Sequence, residues 1–231
     1  MKNIALIPAR SGSKRVKNKN IKKLDNIPLI NYTIQSAISS SLFDRIIVVT
    51  DSIEYEKIAI DAGAESLGLR PKDISGSNSP DIEWVKWILK KLDDQNYDFD
   101  TFSILRPTSP FRTKNTYNRA FELFFKNKVH SLRAVEKVSQ HPGKMWVIEG
   151  DKMSPLLPHE INGIPWHSNQ KASLPEFYVQ NASFEIAWKS TVLKYNSISG
   201  TIISPFITED FEGFDINTNA DFELAKKIVK K

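Results

Sequence analysis

Between residues 10 and 23 the chain reads RSGSKRVKNKNIKK, seven Lys or Arg with no acid, directly after the apolar run NIALIPA. A strand that runs out into small residues and then cations is a place where backbone N–H groups and side-chain charges can converge on a phosphate chain. Ser11, Gly12 and Ser13 let amides approach an anion, and Arg10, Lys14 and Lys19 supply the charge around a triphosphate. The same composition also fits an exposed basic loop, and the residues alone leave that alternative open. The loop has neither G-x-x-x-x-G-K-[ST] nor G-x-G-x-x-G, which argues against a Walker ATPase and a dinucleotide fold.

The charge is local. The chain carries +5 overall, so without these seven cations it would stand at −2. A local excess favours one anion site over a diffuse nucleic-acid surface, so no nucleic-acid partner is expected. No cysteine is present, which removes disulfides, thiolate metal sites and cysteine nucleophiles together. No apolar run approaches the roughly 18 residues that cross a bilayer, and the N-terminal apolar run is short for a signal peptide. A soluble, cytoplasmic protein without a membrane partner is the expectation.

The elements that must position these residues follow from periodicity. Residues 3–9 read as a buried strand broken at Pro8, 27–43 as a helix with Pro28 near its first turn, and 44–51 as a second buried strand. A helix over 52–63 is capped by Asp51 or Ser52 and stopped by Gly63, and a short strand lies near 64–68. The segment 79–92 puts Ile82, Val85, Ile88, Leu89 and Leu92 on one helical face. Strand 101–105, helix 114–127 and strand 131–138 complete a β-α-β-α-β-α-β series. That order predicts an α/β fold: a mostly parallel, Rossmann-like sheet with helices on both faces. In such sheets ligands lie beyond the carboxyl ends of the strands, so the loops PARSGSKR, TDS and RPTSPFR should share one rim. From about 139 to 178 the helical period disappears, and Pro, Trp and His accumulate. This reads as an arm of hairpin and loop inserted in a single domain spanning 1–231. Strands resume at 180–188 and 200–207, and a helix closes the chain.

With these motifs in place, the chain resembles the acylneuraminate cytidylyltransferases and, more distantly, the CMP-KDO synthetases. IPARSGSK followed by KN, then LRPKDIS, RPTSPFR, HPGK, LP and GFDINT, occur in family order over almost the whole chain. The resemblance implies a nucleotide-diphospho-sugar transferase-like fold that joins CTP to a 3-deoxy-2-keto sugar acid, releasing pyrophosphate with Mg²⁺ (or Mn²⁺). It also implies a homodimer built through the arm, where Trp146 and Trp166 lie.

Carried over residue by residue, the catalytic set is Arg10, Lys14, Lys19 and Asp215. Ala9, Arg10, Ser13, Lys14, Asn20, Arg70, Ser79 and Asp81 are implied on the nucleotide side. Arg70 would donate to cytosine O2 or N3, and Asp81 or a backbone carbonyl would accept from its amino group. Asp81 is also placed to serve the first turn of a helix. Arg106, Thr108, Ser109, Lys144, Lys171, Asn181 and Glu185 are implied at the acceptor, with Arg112 placed for a carboxylate or for the chain itself. His141 reads as a structural or substrate-positioning residue rather than a base.

Several positions depart from the family pattern. Arg106 stands where the sialic acid enzymes carry Gln, Lys171 where they carry Arg, Ala182 where they carry Gly, and Glu185 where they carry Tyr. These changes fall on the acceptor side and leave open a KDO-type acid or a phosphate or phosphonate acceptor. The D-x-D metal motif reads Asp215-Ile-Asn217, so one carboxylate is replaced by a neutral amide. Substrate oxygens and water can complete a Mg²⁺ shell around a single carboxylate, and a non-catalytic nucleotide-binding homologue is the remaining alternative.

Overall fold

β1 (Asn3–Pro8) sends Ile4 and Leu6 to one face of a sheet and Ala5 and Ile7 to the other, all four fully buried. An apolar run buried on both faces is what a central parallel strand requires. The computed structural model describes residues 1–13 and 15–230. After β1 comes a small hairpin of β2 (Lys23–Leu24) and β3 (Ile27–Pro28), then α1 (Leu29–Ser40), β4 (Arg45–Val49), α2 (Ile53–Asp61) and β5 (Glu65–Ser66). α3 (Asp81–Asp94), β6 (Thr101–Ile104), α4 (Lys114–Lys126) and β7 (Ser131–Lys137) follow.

The chain forms two compact units, Val135–Gln180 and the remainder, Met1–Ala134 with Asn181–Lys231. The smaller unit holds two hairpins, β8 (Trp146–Glu149) with β9 (Lys152–Pro155) and β10 (Glu160–Ile161) with β11 (Ile164–Pro165). Then come β12 (Tyr178–Trp188), whose residues from Asn181 onward belong to the larger unit, and α5 (Lys189–Tyr195), β13 (Ile203–Ile207) and α6 (Asn219–Val229), which complete it.

The main sheet runs β13-β7-β12-β6-β1-β4-β5. β1 pairs in parallel with β4 and β6, β4 pairs in parallel with β5, and β12 lies antiparallel to β6. The chain moves outward from β1 through β4 to β5, then crosses back to place β6 on the other side of β1. That reversal leaves a crevice at the carboxyl ends of β1 and β6. Helices cover both faces. α1, α2 and α4 pack Ile30, Ile34, Tyr55, Ala59, Tyr117 and Phe121 against Ala5 and Ile7. On the other face α3 packs Trp84, Val85, Ile88 and Leu92 against Ile4 and Leu6. α6 makes a third cluster, with Phe222 and Ala225 against Leu24, Leu29 and Ile216.

Local signals account for the ends of the elements. Ser52 caps α2, accepting from Tyr55 N. Gly63 ends that helix at φ +100, a value that favours glycine. Thr218 and Asp221 form a capping box at α6. The ends of three elements differ in detail from the expected pattern or add to it. β1 does not break at Pro8 but includes it as its last residue, opposite Val49 and past the point where β6 pairing stops at Leu6. Pro28 is the N-cap of α1, next to its first turn as expected, and the helix itself runs over Leu29–Ser40 within the wider 27–43 stretch. α5 was not foreseen, because a seven-residue helix burying Thr191 and Val192 has too few turns to show a period.

Candidate functional site

The crevice holds a polar cleft of about 320 Å³. Three stretches wall it: the exit from β1, the loop over residues 70–81 that leads into α3, and the start of the loop after β6. The rim expected from the sequence is thereby assembled. TDS contributes through Asp51, whose carboxylate accepts from Ser11 N at 2.7 Å and from Ser11 Oγ at 3.1 Å, fastening the basic loop to the end of β4.

The cations are held by backbone oxygens, which leaves their charge available to a ligand. Arg10 Nη1 donates to Gly76 O at 2.8 Å, tying the first wall to the second. Asn20 Nδ2 donates to Arg10 O at 3.2 Å. Lys19 Nζ donates to Ile216 O at 2.5 Å, and burial, opposed by Asp215, holds its ammonium below the ordinary lysine pKa. Ser13 also lines the cleft. Ala9 is fully buried and continues the sheet by donating from its N–H to Val49 O. Lys14 lies outside the described residues. Arg15, which the sequence reading passed over, lines the cleft as well. Its signal was its place among the loop cations.

Ile216 joins the far end of the chain to this loop. Its carbonyl receives Lys19, and its N–H donates to Thr108 O at 2.9 Å, with Thr108 on the cleft wall. The flanking Asp215 and Asn217 are thereby fixed beside both loops. Asn217 Nδ2 donates to Asp215 Oδ2 at 2.5 Å, while Asp215 Oδ1 is buried without a hydrogen-bond partner. A buried, unpaired carboxylate oxygen is costly unless a proton or cation meets it. Asp215 therefore fits a hard cation through Oδ1. Through Nδ2 Asn217 orients the Asp215 carboxylate, and the ligand role expected for it would use its Oδ1. Among the described residues no cluster of three or more His, Cys, Asp or Glu forms a metal cage.

On the second wall, Arg70 donates through Nε to Ile74 O at 2.8 Å and through Nη2 to the same oxygen. Burial holds its guanidinium below the ordinary arginine pKa, with Asp81 opposing. Ser79 lines the cleft but does not cap α3, whose N-cap is Pro80. Asp81 is the first residue of α3. Its Oδ1 accepts from Trp84 Nε1 at 2.8 Å and its Oδ2 from Arg106 Nη2, so a base would meet only its remaining lone pairs. Burial alone would raise the Asp81 carboxyl pKa, but Arg106 and Trp84 carry it below the ordinary aspartate value.

A cytidylyltransferase family pattern matches residues 4–185, most of the chain. The chain belongs to that family. It is 33% identical to the N-acylneuraminate cytidylyltransferase of Escherichia coli O18:K1:H7 over 99% of its length, spanning about half (52%) of that longer relative. It is 32% identical to the CMP-N,N'-diacetyllegionaminic acid synthase of Legionella pneumophila, covering 100% of this chain and 97% of the relative. A pseudaminic acid cytidylyltransferase of Campylobacter jejuni is 27% identical over 100% and 97% of the two chains. Among solved structures, a CMP:2-keto-3-deoxy-manno-octonic acid synthetase complexed with CTP superposes at a TM-score of 0.72 with 13% identity, over 100% of this chain and 99% of that one. The 4-diphosphocytidyl-2C-methyl-D-erythritol synthase of Anaerococcus prevotii superposes at 0.64 with 14% identity, over the same shares. These two likenesses concern the fold.

Not every residue assigned to the cytidylyltransferase's acceptor faces the cleft. Arg106 and Thr108 line it. Ser109 is fully buried, with an Oγ that has no partner. Arg112 is also buried and serves the chain itself, donating to Ser183 O, to Thr33 Oγ1 at 2.7 Å and to Arg106 O at 2.9 Å. Asn181 spends its amide on Thr208 Oγ1 and Ser183 N. Glu185 is buried, with both oxygens taken by arginines. Within the smaller unit, Lys144 Nζ donates to His167 O and Asn169 O, and Lys171 Nζ to Val138 O and Ser139 O. His141 is pinned there between Gly143 N–H and Pro175 O, a structural placement.

Proposed function

We propose that this cytidylyltransferase transfers CMP from CTP to a nonulosonic acid, a 3-deoxy-2-keto sugar acid, giving the CMP-sugar and pyrophosphate. The observation that carries the reading is the gathering of Arg10, Arg15 and Lys19 along the cleft, with Lys19 bonded to the carbonyl of Ile216, the residue next to Asp215. A triphosphate needs cations along its length, and a reacting α-phosphorus needs charge stabilisation on the oxygen that departs. The relatives named for sialic, legionaminic and pseudaminic acids support the acceptor class.

In this reading the anomeric hydroxyl oxygen bonds to the α-phosphorus as the bond from that phosphorus to the bridging oxygen breaks. Arg10 and Lys19, with Lys14 by family position, neutralise the pyrophosphate as it leaves. Asn20 and Arg70 face the nucleoside. Mg²⁺, held through Asp215 Oδ1 and substrate oxygens, would supply Lewis acidity and lower the pKa of the attacking hydroxyl. The family-implied acid contacts of Lys144 and Lys171 would require those lysines to exchange their carbonyl partners for the substrate.

The smaller unit exposes Ile148, Met153, Val147 and Trp146 on its first hairpin. An apolar face of this kind suits a homodimer, which is the assembly we propose. No helix among the described residues is long and apolar enough to cross a membrane, and a reaction that consumes CTP suits a cytoplasmic enzyme, which is the location we propose. Incubation with CTP, Mg²⁺ and each of the three acids, followed by pyrophosphate release and product mass, tests the proposal. A CMP adduct supports it, and CTP binding without any adduct refutes it.

A further inference from the structure

Arg106 stands at the cleft wall between two carboxylates. Its Nη2 donates to Asp81 Oδ2 and, at 3.1 Å, to Glu185 Oε1. The other oxygen of Glu185 meets Arg133 Nη1 at 2.7 Å. Arg133 donates in turn to Ser199 Oγ through Nε at 3.1 Å and Nη2 at 2.5 Å.

Strand alternation builds this row. Arg133 falls between Leu132 and Ala134 on β7, and Glu185 between Phe184 and Ile186 on β12. Those four apolar neighbours all pack into the core under α1, α2 and α4. Arg133 and Glu185 therefore point to the opposite face, where Asp81 opens α3. Glu185 is only 6% exposed. A carboxylate so buried needs both oxygens paired, and two guanidinium groups pair them. Of the two arginines only Arg106 lines the cleft, and Glu185 does not.

We propose that Glu185 and Arg133 are positioning residues that aim Arg106 into the acceptor side of the cleft. There the fixed guanidinium meets a carbonyl or carboxylate oxygen of the acceptor. A guanidinium only donates, and Nη2 is already committed to Asp81 and Glu185, so Nε and Nη1 remain for the ligand. The departures at positions 106 and 185 are in this view one coupled change, because an arginine at 106 needs a carboxylate behind it. Through Asp81 the same row reaches the second wall. The inference rests on the cytidylyl-transfer reading.

A double-variant cycle tests it. Glu185→Gln and Arg106→Gln should each raise the acceptor KM about tenfold, with the KM for CTP within about twofold of wild type, and the double variant should match Arg106→Gln alone. An unchanged acceptor KM in Glu185→Gln, effects that multiply in the double variant, or an equal rise for CTP would overturn the positioning role. Should Glu185→Gln fail to fold, Arg133→Lys carries the same prediction. Side-chain ¹⁵N NMR of Arg106 supplies a readout without turnover. Its guanidinium should rotate slowly in wild type and faster in Glu185→Gln, and equal rotation would overturn the proposal. A wild-type protein that turns over none of the acids but gives this NMR response would refute the transfer reading and leave the positioning role standing.

Discussion

Lys19 Nζ lies 2.5 Å from the carbonyl oxygen of Ile216, the residue between Asp215 and Asn217. One hydrogen bond thus joins the basic loop after the first strand to an acidic motif almost two hundred residues later. The contact brings a cation of the cleft lining close to the Asp215 carboxylate and fixes the ammonium in place.

Lys19→Met should therefore cut kcat/KM by about 10²–10³, because a fixed charge in a transition state that sheds pyrophosphate is not replaced by water. The orphaned Ile216 carbonyl should cost about 1–3 kcal/mol of stability. Steady-state kinetics and urea denaturation check the two values. A near-normal rate would contradict the placement of the phosphates beside Lys19.

Asn217→Asp should change metal dependence more than maximal rate. Two carboxylates at the 2.5 Å contact now made by Asn217 and Asp215 would repel, raising one pKa until a cation binds between them. The half-saturating Mg²⁺ concentration should fall by about tenfold, with a steeper loss of activity below neutral pH. An unchanged Mg²⁺ requirement, read from activity titrations, would place the cation elsewhere.

Much of this arrangement was legible from the sequence. The alternation of buried runs with 3.6-residue periods predicted the parallel core, and the loops after β1, β4 and β6 were expected on one rim because parallel strands share a carboxyl end. What the sequence could not carry was pairing between distant residues. Within the expected strand 131–138 Arg133 drew no assignment, and Glu185 was expected at the acceptor. Only the sheet order, which sets β7 beside β12 and β12 beside β6, makes them partners of Arg106. Likewise Arg112 sits in a loop that favours ligand contact, and its burial under β12 turns it into a brace.

Arg112→Met should destabilise the protein by about 3–5 kcal/mol, since it removes the donor to Ser183 O, Arg106 O and Thr33 Oγ1 in a fully enclosed place. The urea midpoint reports this loss. A variant as stable as wild type would mean that these acceptors find other donors.

Acid should unfold the protein in a window set by its paired carboxylates. Asp81 is held low chiefly by Arg106 against the effect of burial, and Glu212 by Arg119 and Thr116 against the same effect. Each folded-state pKa lies below the unfolded value, so the native state binds fewer protons. The stabilisation is present above the unfolded pKa and is lost as pH falls through the folded one. Stability should be nearly flat from about pH 7 to 5 and fall below about pH 4. Asp81→Asn should make that acid limb shallower, measured by urea midpoints across the range, and an equally steep limb would contradict the assignment.

Cytidylyl transfer to a nonulosonic acid is tested most directly by product analysis of the wild-type protein. With CTP, Mg²⁺ and N-acetylneuraminic, diacetyllegionaminic or pseudaminic acid, at least one acid should yield a CMP-sugar with one equivalent of pyrophosphate. Tight CTP binding with neither pyrophosphate nor a CMP adduct from any of the three would contradict it.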